Sequence, residues 1–361
     1  MVDWFELDFL DVETRKSGDA ITIHYEISGQ RMIHVIDGGF DAMSQRIINH
    51  IVSHYANRPI DHVVVTHPDG DHACGLRGVV ERCNVGTLWM LRPWLYAEAL
   101  LPHFPTYNSV DRLASRLRQL YPYIADLERM ATAKGIPISA PFQGARIGAF
   151  TVLAPTPGRY FDCLLRSEKT PEVTVEVENA LGGILSGLAR IGRGLVNYAR
   201  GAWGYEVFSP EETSAENEMS VVQGAVIGGK SIVLTGDAGR RALAEAADAA
   251  WMAGIVLPGV DHFQVPHHGS RRNVSTGLLD RWLGERLPYP PAHGTETFVA
   301  MCSSAKADPD HPRKSVERAL VHRGARFIAT EDGDIGTRWN ILPRPGWGNL
   351  PLRPYPEDYE E

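Results

Sequence analysis

Cysteine is scarce in this 361-residue chain, and Cys74, Cys83, Cys163 and Cys302 form no Cys-x-x-Cys pair. So scattered a set excludes a disulfide framework and a thiolate zinc cluster, and it is typical of reduced thiols. Apolar runs of about 18 residues, the length that crosses a bilayer, are also missing, so we expect no membrane span. The opening "MVDWFELDFLDV" carries acids where a secretory signal needs a basic start. We therefore expect a cytoplasmic protein.

A surplus of positive charge is missing as well. The chain has 36 Lys and Arg residues against 44 Asp and Glu residues, for a formal net charge of -8. Because binding to phosphates needs a cationic face, this balance argues against a sequence-blind coat protein for nucleic acids. A local basic patch is compatible with it, since Arg-rich stretches occur near 190–200, 271–272 and 313–326.

What the chain does have is a rhythm of short apolar strands and amphipathic helices in two blocks. The first block runs from "ELDFLDV" to a long helical stretch from about Val110 to Lys134, and the second from "MSVVQGAVIG" to "ARFIATEDG". This pattern predicts an α/β fold with four layers, an αββα sandwich in which helices cover two packed sheets. We expect one domain over residues 1–342, with an insert at about 160–215, and a Pro-rich acidic tail over 343–361.

Acids and imidazoles cluster where one apolar strand of the first block ends. His67, Asp69, Asp71 and His72 fall within six consecutive positions of "THPDGDHACGL", directly after "HVVV". Imidazole nitrogens and carboxylate oxygens are the usual ligands of divalent first-row metals. Active-site groups of α/β folds also gather at the carboxyl ends of strands. The density of these side chains favours half of a metal site over a solvated polar turn.

The second block also places an acid and imidazoles at the ends of apolar strands. "VLTGD" ends in Asp237, and "FQVPHHGS" ends a strand in His267 and His268. Taken alone, Asp237 is explained as a helix cap and the two histidines as structural residues. The "IDGG" at 36–39 is explained as a tight turn, because glycine adopts positive φ without strain. The match between the two blocks favours a shared metal site.

The order "IDGG … THPDGDHACGL … NEMSVV … LTGDA … VPHHGS" closely resembles the metallo-β-lactamase superfamily, over about residues 5 to 340. Within the superfamily it looks most like the hydrolase domain of ComEC-type DNA-uptake proteins and their stand-alone relatives. The resemblance implies an αββα sandwich with a metal site at one edge between the sheets. It also implies that the domain over 1–342 is a hydrolase that uses a metal-activated water.

The resemblance implies a role for each candidate ligand. The first two ligands of the "THPDGDH" motif would face one metal and the last two a second metal, with the strand-end aspartate as a bridge and one of the paired histidines completing a site. The cofactor would be one or two divalent ions, with zinc or manganese ahead of magnesium. The predicted metal ligands are His67, Asp69, Asp71, His72, Asp237, His267 and His268.

The chain departs from the superfamily pattern at three places. Asp69 stands where the usual pattern has His, although the ComEC-like branch commonly has Asp, and this makes the site harder and more anionic. The stretch "NEMS", with Asn217 and Ser220, replaces a ligand His, so we expect one metal to be held loosely. The opening loop reads "ETRKSGDA" in place of a compact Gly-Gln-Gly loop.

Several residues are candidates for work on the substrate. Asp71 is predicted to orient the attacking water or accept its proton, besides binding metal. His311 of "DPDHP" is a second catalytic candidate, because relatives have a similar "HP" before the last helix; the alternative is an ordinary loop histidine. The predicted substrate-binding residues are Asn217, Ser220, Ser270 and Arg271, with Arg272 beside them.

Three functions are compatible with these residues. The leading hypothesis is a metal-dependent phosphodiesterase, a nuclease with DNA as its substrate. The second is a hydrolase of a small phosphoester, lactone or thioester, because the same metal chemistry serves carbonyl and phosphoryl centres. The third is a partner-regulated module that binds another protein through residues 160–215 or the C-terminal tail.

Overall fold

The computed structural model describes residues 2–12, 14–169, 203–292, 294–345, 347 and 353–357. Two seven-stranded mixed sheets pack against each other with helices on their outer faces, so the αββα expectation is confirmed. Much of the expected insert at 160–215, namely residues 170–202 with most of its Gly-interrupted run, lies outside the described residues.

The described residues contain fourteen strands and eleven α-helices. The strands are β1 (Trp4–Phe9), β2 (Ile21–Ile27), β3 (Gln30–Ile36), β4 (Ile60–Val64), β5 (Val85–Trp89), β6 (Ile138–Ser139), β7 (Arg146–Ile147), β8 (Phe150–Ala154), β9 (Val222–Ile227), β10 (Lys230–Leu234), β11 (His262–Gln264), β12 (Phe298–Cys302), β13 (Ala325–Ala329) and β14 (Ile335–Trp339). The helices are α1 (Met43–His54), α2 (Gly70–Ala73), α3 (Leu76–Arg82), α4 (Ala97–Leu100), α5 (Val110–Leu120), α6 (Pro122–Ala133), α7 (Pro157–Arg166), α8 (Ala215–Glu218), α9 (Arg240–Ala249), α10 (Thr276–Leu283) and α11 (Lys314–Val321).

The strand order brings two sets of parallel strands to one edge of the sandwich. The first sheet has the order β14-β1-β2-β3-β4-β5-β6, and β3 to β6 are parallel neighbours. The second sheet has the order β13-β12-β11-β10-β9-β8-β7, and β10 to β13 are parallel neighbours. Loops that follow parallel strands emerge at the same edge of a sheet, which is where α/β folds collect functional groups.

Alternation along the strands decides which face each side chain covers. In β10, Ile232 and Leu234 belong to the core between the sheets, whereas Val233 belongs to the core under α9 and α10. A strand covered on both faces is apolar at successive positions, as "IVL" at 232–234 is. The pattern of buried residues therefore follows directly from the period of two along a strand.

The outer face of β1 carries buried acids that hold the C-terminal segment. Asp8 is fully buried and accepts hydrogen bonds from the hydroxyl of Tyr55 at 2.7 Å and from Nη2 of Arg344 at 3.0 Å. Arg338 of β14 donates to the other oxygen of Asp8 at 3.1 Å. A buried carboxylate needs such partners, so these described residues near the expected tail lie against the domain.

The long helical stretch expected from Val110 to Lys134 is in fact two helices. Tyr121 between α5 and α6 has φ -120° and ψ 65°, outside the helical region. Pro122 is the cause, because proline lacks an N–H and disfavours helical geometry in the residue before it. None of the helices in the described residues is long and apolar enough to cross a membrane.

The loops after β3 and α2 contact each other through their backbones. Gly38 donates to the carbonyl of His72 at 2.7 Å, and Gly75 donates to the carbonyl of Gly39 at 3.0 Å. A Cβ atom on Gly75 would lie 1.9 Å from the carbonyl oxygen of Gly38. The "IDGG" segment is therefore more than a turn, because its close approach to the "THPDGDHACGL" segment helps to place His72.

This contact makes Gly75 a test of how the loops are held. We expect Gly75→Ala to lower the free energy of unfolding by about 2–3 kcal/mol, because a methyl group at this point forces two backbones apart. Urea denaturation followed by circular dichroism measures the change. Gly158→Ala is the control, since nothing lies within 4 Å of its Cβ position. Equal stabilities for the two variants would contradict the expected clash.

Candidate metal centre

Five loops from the two sheets deliver acids and imidazoles to one edge of the sandwich. The loop after β4 supplies the motif "HPDGDH", and the loop after β3 supplies Asp37. From the second sheet, the loop after β10 supplies Asp237 and the turn after β11 supplies His267 and His268. The loop before β2 adds Asp19. Residues distant in sequence thus meet where the parallel strands end.

One group of four ligand atoms lies on one side of Asp237. Its Oδ1 lies 3.3 Å from Nε2 of His72 and 3.8 Å from Nε2 of His268. Oδ2 of Asp71 lies 3.9 Å from the same atom of His72 and 3.7 Å from that of His268. All four ligand atoms lie within 4.8 Å of one another, the spacing of a cluster that could hold one metal ion. We refer to Asp71, His72, Asp237 and His268 as the inner group.

The other oxygen of Asp237 faces a second group. Its Oδ2 lies 3.7 Å from Nε2 of His67 and 3.5 Å from Nε2 of His267. Oδ2 of Asp69 lies 3.9 Å from Nε2 of His67. We refer to His67, Asp69, Asp237 and His267 as the outer group. The two paired histidines therefore both face Asp237, one toward each of its oxygens. His267 thus supplies the outer group with an imidazole, which the "NEMS" segment lacks.

The turn that carries the two histidines has an unusual backbone. His267 and His268 have φ of 47° and 54°, and Asp37 has φ of 56°. Positive φ is uncommon for residues other than glycine and costs conformational energy, so it is typical of positions that the surrounding structure holds for function. Two successive residues in this region let adjacent side chains both face the same carboxylate.

The buried polar atoms of the site need a partner that the described side chains do not supply. Nε2 of His67, His72 and His268, and Oδ1 of Asp237, have no hydrogen-bond partner among the described residues. Buried polar atoms of this kind are rare and require an explanation. One divalent cation in the inner group and a second in the outer group would satisfy these atoms, because imidazole nitrogen and carboxylate oxygen are ordinary ligands of such ions. The residues present fit one or two divalent ions.

Two buried carboxylates, Asp37 and Asp19, lie behind the histidines of the inner group. Oδ2 of Asp37 accepts a hydrogen bond from Nδ1 of His72 at 2.7 Å, which leaves Nε2 of His72 available for metal. The same arrangement orients the ligand histidines of most metal sites. Asp19 accepts from Nε2 of Gln264 at 2.7 Å and lies 3.8 Å from Nδ1 of His268. Sequence analysis missed Asp19 and assigned Asp37 only to a turn.

The electrostatics of the site favour a cation. Burial by itself lowers the pKa of His268, yet the carboxylates of Asp237, Asp71 and Asp19 raise it to about 9. Burial by itself raises the pKa of Asp237, yet His72, His267 and His268 hold it well below its usual range. The shift of His268 shows a negative field around its imidazole nitrogens, which attracts a metal ion as it attracts a proton, and the shift of Asp237 shows that the histidines favour its ionised form.

Asp237 is not a helix cap. Helix α9 begins at Arg240, its N-cap residue is Gly239, and no side chain caps it. The backbone carbonyl of Asp237 accepts from Nδ2 of Asn273 at 2.8 Å, which holds the loop while the carboxylate faces the histidines. Nδ1 of His267 lies 3.0 Å from Oδ1 of the same asparagine. Asn273 thus positions two members of the outer group.

The four residues predicted to bind substrate lie close to the site, and three of them are buried. Nδ2 of Asn217 lies 3.1 Å from Nδ1 of His267, so this side chain contacts a ligand. The Ser220 hydroxyl is buried without a hydrogen-bond partner among the described residues, and Ser270 accepts from the backbone of Arg272. The Arg271 side chain is partly exposed.

His311 lies beside the paired histidines. Its ring centroid is 5.5 Å from that of His267 and 6.1 Å from that of His268. Its Nδ1 lies 3.3 Å from Oδ2 of Asp308, and that carboxylate oxygen also accepts from the backbone and hydroxyl of Ser17 at 3.0 and 2.8 Å. The unusual opening loop "ETRKSGDA" therefore anchors the acid that orients His311.

Comparison with known proteins gives one family match. Residues 33–129, which include "IDGG" and "THPDGDHACGL", match the model of the metallo-beta-lactamase superfamily. No curated protein matches the chain.

Three solved structures illustrate the wider similarity. The crystal structure of hydrolase AbOPH in beta lactamase superfamily is 13% identical, covers 61% of this chain and 56% of its own, and has a TM-score of 0.30. A beta-lactamase domain protein from Burkholderia ambifaria is 19% identical, with 40% and 45% covered and a TM-score of 0.24. A metallo beta lactamase from Hirschia baltica is 16% identical, with 42% and 56% covered and a TM-score of 0.21. The matched region spans about half of each of these structures, and nothing about substrate follows from them.

The two packed sheets with flanking helices have the metallo-β-lactamase fold, and residues 33–129 match the model of that superfamily. Members of this superfamily are metal-dependent hydrolases, and the cluster of His and Asp side chains that could hold a metal agrees with that class.

The shared carboxylate of Asp237 yields a direct prediction. We expect Asp237→Asn to lower the affinity for divalent metal by more than about 100-fold. Loss of a residue that only hydrogen-bonds to a metal ligand already lowers metal affinity about 10- to 100-fold, and Asp237 is itself a predicted ligand. Competition titration against a chelating dye, with metal content measured by mass spectrometry, gives the affinity and the stoichiometry.

Asp41→Asn is the matched control, since Asp41 is exposed and pairs with Arg77. We expect it to bind metal as the unchanged protein does. Unaltered affinity in Asp237→Asn would show that the two groups are not a shared metal site.

Proposed function

We propose that this protein is a metal-dependent phosphodiesterase, a nuclease that cleaves DNA. The observation that carries the proposal is the division of Asp237 between two ligand groups, with one oxygen facing His72 and His268 and the other facing His67 and His267. Paired sites of this kind are typical of enzymes that displace an oxygen at phosphorus.

The ligand set supports phosphoryl over carbonyl chemistry. Asp69 and Asp71 each add a carboxylate, so carboxylates make up half of the ligand residues of each group. Carboxylate oxygens suit manganese and magnesium, whereas imidazole nitrogens suit zinc. We infer that zinc or manganese is the resident ion and that magnesium is an alternative.

When bound, divalent ions supply the nucleophile by lowering the pKa of water, and they offset negative charge on the phosphoryl oxygens. The chain supplies orientation and proton transfer. Asp71, whose side chain is 30% exposed, is the carboxylate of the inner group that reaches solvent, and we assign to it the orientation of the attacking water.

His311 is placed to supply the proton for the leaving oxygen. Its Nδ1 donates to Asp308, so its Nε2 faces away from that carboxylate and is available to a substrate. Asp308 is itself held by two hydrogen bonds from Ser17. A fixed, half-buried imidazole near the ligands is the usual device for general acid catalysis. Asn217, Ser270 and Arg271 are assigned to the surroundings of the bound phosphodiester.

The function is tested by incubating the purified protein with plasmid, single-stranded DNA, RNA, bis(p-nitrophenyl) phosphate and a set of neutral lactones, thioesters and small esters, each with Mn²⁺, Mg²⁺ or Zn²⁺. We expect DNA cleavage that depends on metal and is lost in the Asp71→Ala/His72→Ala double variant. Turnover of neutral lactones, thioesters or small esters without cleavage of any phosphodiester would replace the proposal by small-molecule hydrolysis. No turnover of any substrate would favour the partner-regulated module, with residues 160–215 or the tail as the binding surface.

The role of His311 makes a separate prediction. We expect His311→Gln to lower kcat for DNA by about 100- to 10,000-fold, the usual contribution of a general acid. For bis(p-nitrophenyl) phosphate we expect a loss of less than about tenfold, because p-nitrophenolate leaves without protonation. Equal losses on the two substrates would assign His311 to structure or metal binding instead.

A further inference from the structure

A lysine that sequence analysis did not single out contacts the outer group. Nζ of Lys169 donates to Oδ1 of Asp69, while Oδ2 of Asp69 faces His67. In the part of the chain that the structure describes, no salt bridge places another Lys or Arg side chain on Asp69, Asp71 or Asp237. Lys169 is thus a cation at the rim of an otherwise acidic site.

The position of Lys169 is held by buried neighbours. Its backbone N–H donates to Oγ of Ser167 at 3.1 Å, just past the end of α7. The Ser167 hydroxyl donates to Glu216 and lies 3.1 Å from the hydroxyl of Tyr121. Ser167, Glu216 and Tyr121 are 5%, 4% and 1% exposed. These contacts therefore fix the backbone of Lys169 at a defined position next to Asp69.

The contact between Lys169 and Asp69 is exchangeable. The two side chains are 44% and 29% exposed, and water screens an ion pair at that exposure, so the pair is weak. A divalent ion that binds Asp69 competes easily with the lysine. Lys169 then remains at the rim of the site with its charge available to another anion.

The charge of the site explains why such a cation is needed. A phosphodiester carries a negative charge, and it approaches the ligands past the carboxylates of Asp69 and Asp71, whose side chains are 29% and 30% exposed. A neutral ester meets no such repulsion.

We propose that Lys169 binds an anionic phosphoryl oxygen of the substrate and selects charged phosphodiesters over neutral esters. This inference rests on the proposed phosphodiesterase function and names the residue that recognises the charge. An ammonium group suits the task because it is a compact point charge that can reorient on a flexible stem.

The variants Lys169→Met and Lys169→Arg test the proposal, with Arg129→Met as the matched control. Arg129 forms an exposed ion pair with Asp126 on α6, so its replacement removes the same charge away from the ligands. Each protein, loaded with Mn²⁺, is assayed on bis(p-nitrophenyl) phosphate and on the neutral ester p-nitrophenyl acetate. Calorimetric titration with inorganic phosphate measures anion binding without turnover, and metal content and Tm check the fold.

We expect Lys169→Met to raise KM for the phosphodiester and Kd for phosphate by about 10- to 100-fold, the effect of losing a hydrogen bond to a charged group. We expect kcat, metal content and turnover of the neutral ester to change little. Lys169→Arg should recover most of the affinity, and Arg129→Met should resemble the unchanged protein.

Two outcomes would overturn the role of Lys169. One is unchanged phosphate affinity in Lys169→Met, and the other is an equal loss on charged and neutral substrates. Failure of the proposed function looks different, because the unchanged protein would then cleave no phosphodiester. Phosphate binding would still decide the role of Lys169 in that case.

Discussion

The buried carboxylate of Asp237 is the constraint around which this edge of the sandwich is built. It is 2% exposed and lies at the end of β10, where a charge without partners would cost several kcal/mol. His67 and His72 come to it from the first sheet, and His267 and His268 from the second. The two sheets therefore meet at this edge through one shared charge, which belongs to the cluster that could hold a metal ion.

Holding four imidazoles around one carboxylate requires a rigid second layer. Asp37 directs His72, Asn273 holds the loop of Asp237, and the carbonyl of Ser303 accepts from His268 at 2.9 Å. The backbone contact between Gly38 and Gly75 leaves no room for side chains. Conformational strain at the two paired histidines is held by these contacts, which is a common cost of a preorganised site.

The paired histidines of the two ligand groups differ in exposure to solvent. His268 of the inner group is 3% exposed, whereas His267 of the outer group is 26% exposed. Asp69 reaches the rim and contacts Lys169 there. One loosely held metal, predicted from Asn217 and Ser220, stays a prediction, and the exposure of His267 is the feature of the outer group that agrees with it.

The sequence by itself determined the layers and the motifs, because alternation along a strand and ligands at a strand end are local patterns. It could not reveal that Asp37 orients His72 and that Asp19 lies beside the ligand histidines. Nor could it reveal that both paired histidines face Asp237, or that Lys169 contacts Asp69 across 100 residues. The break at Pro122 was visible in the sequence and was outweighed by helical periodicity on both sides. Only the tertiary structure decided which histidines face each oxygen of Asp237. The reason is that packing of the two sheets determines which loops lie within about 4 Å of that carboxylate.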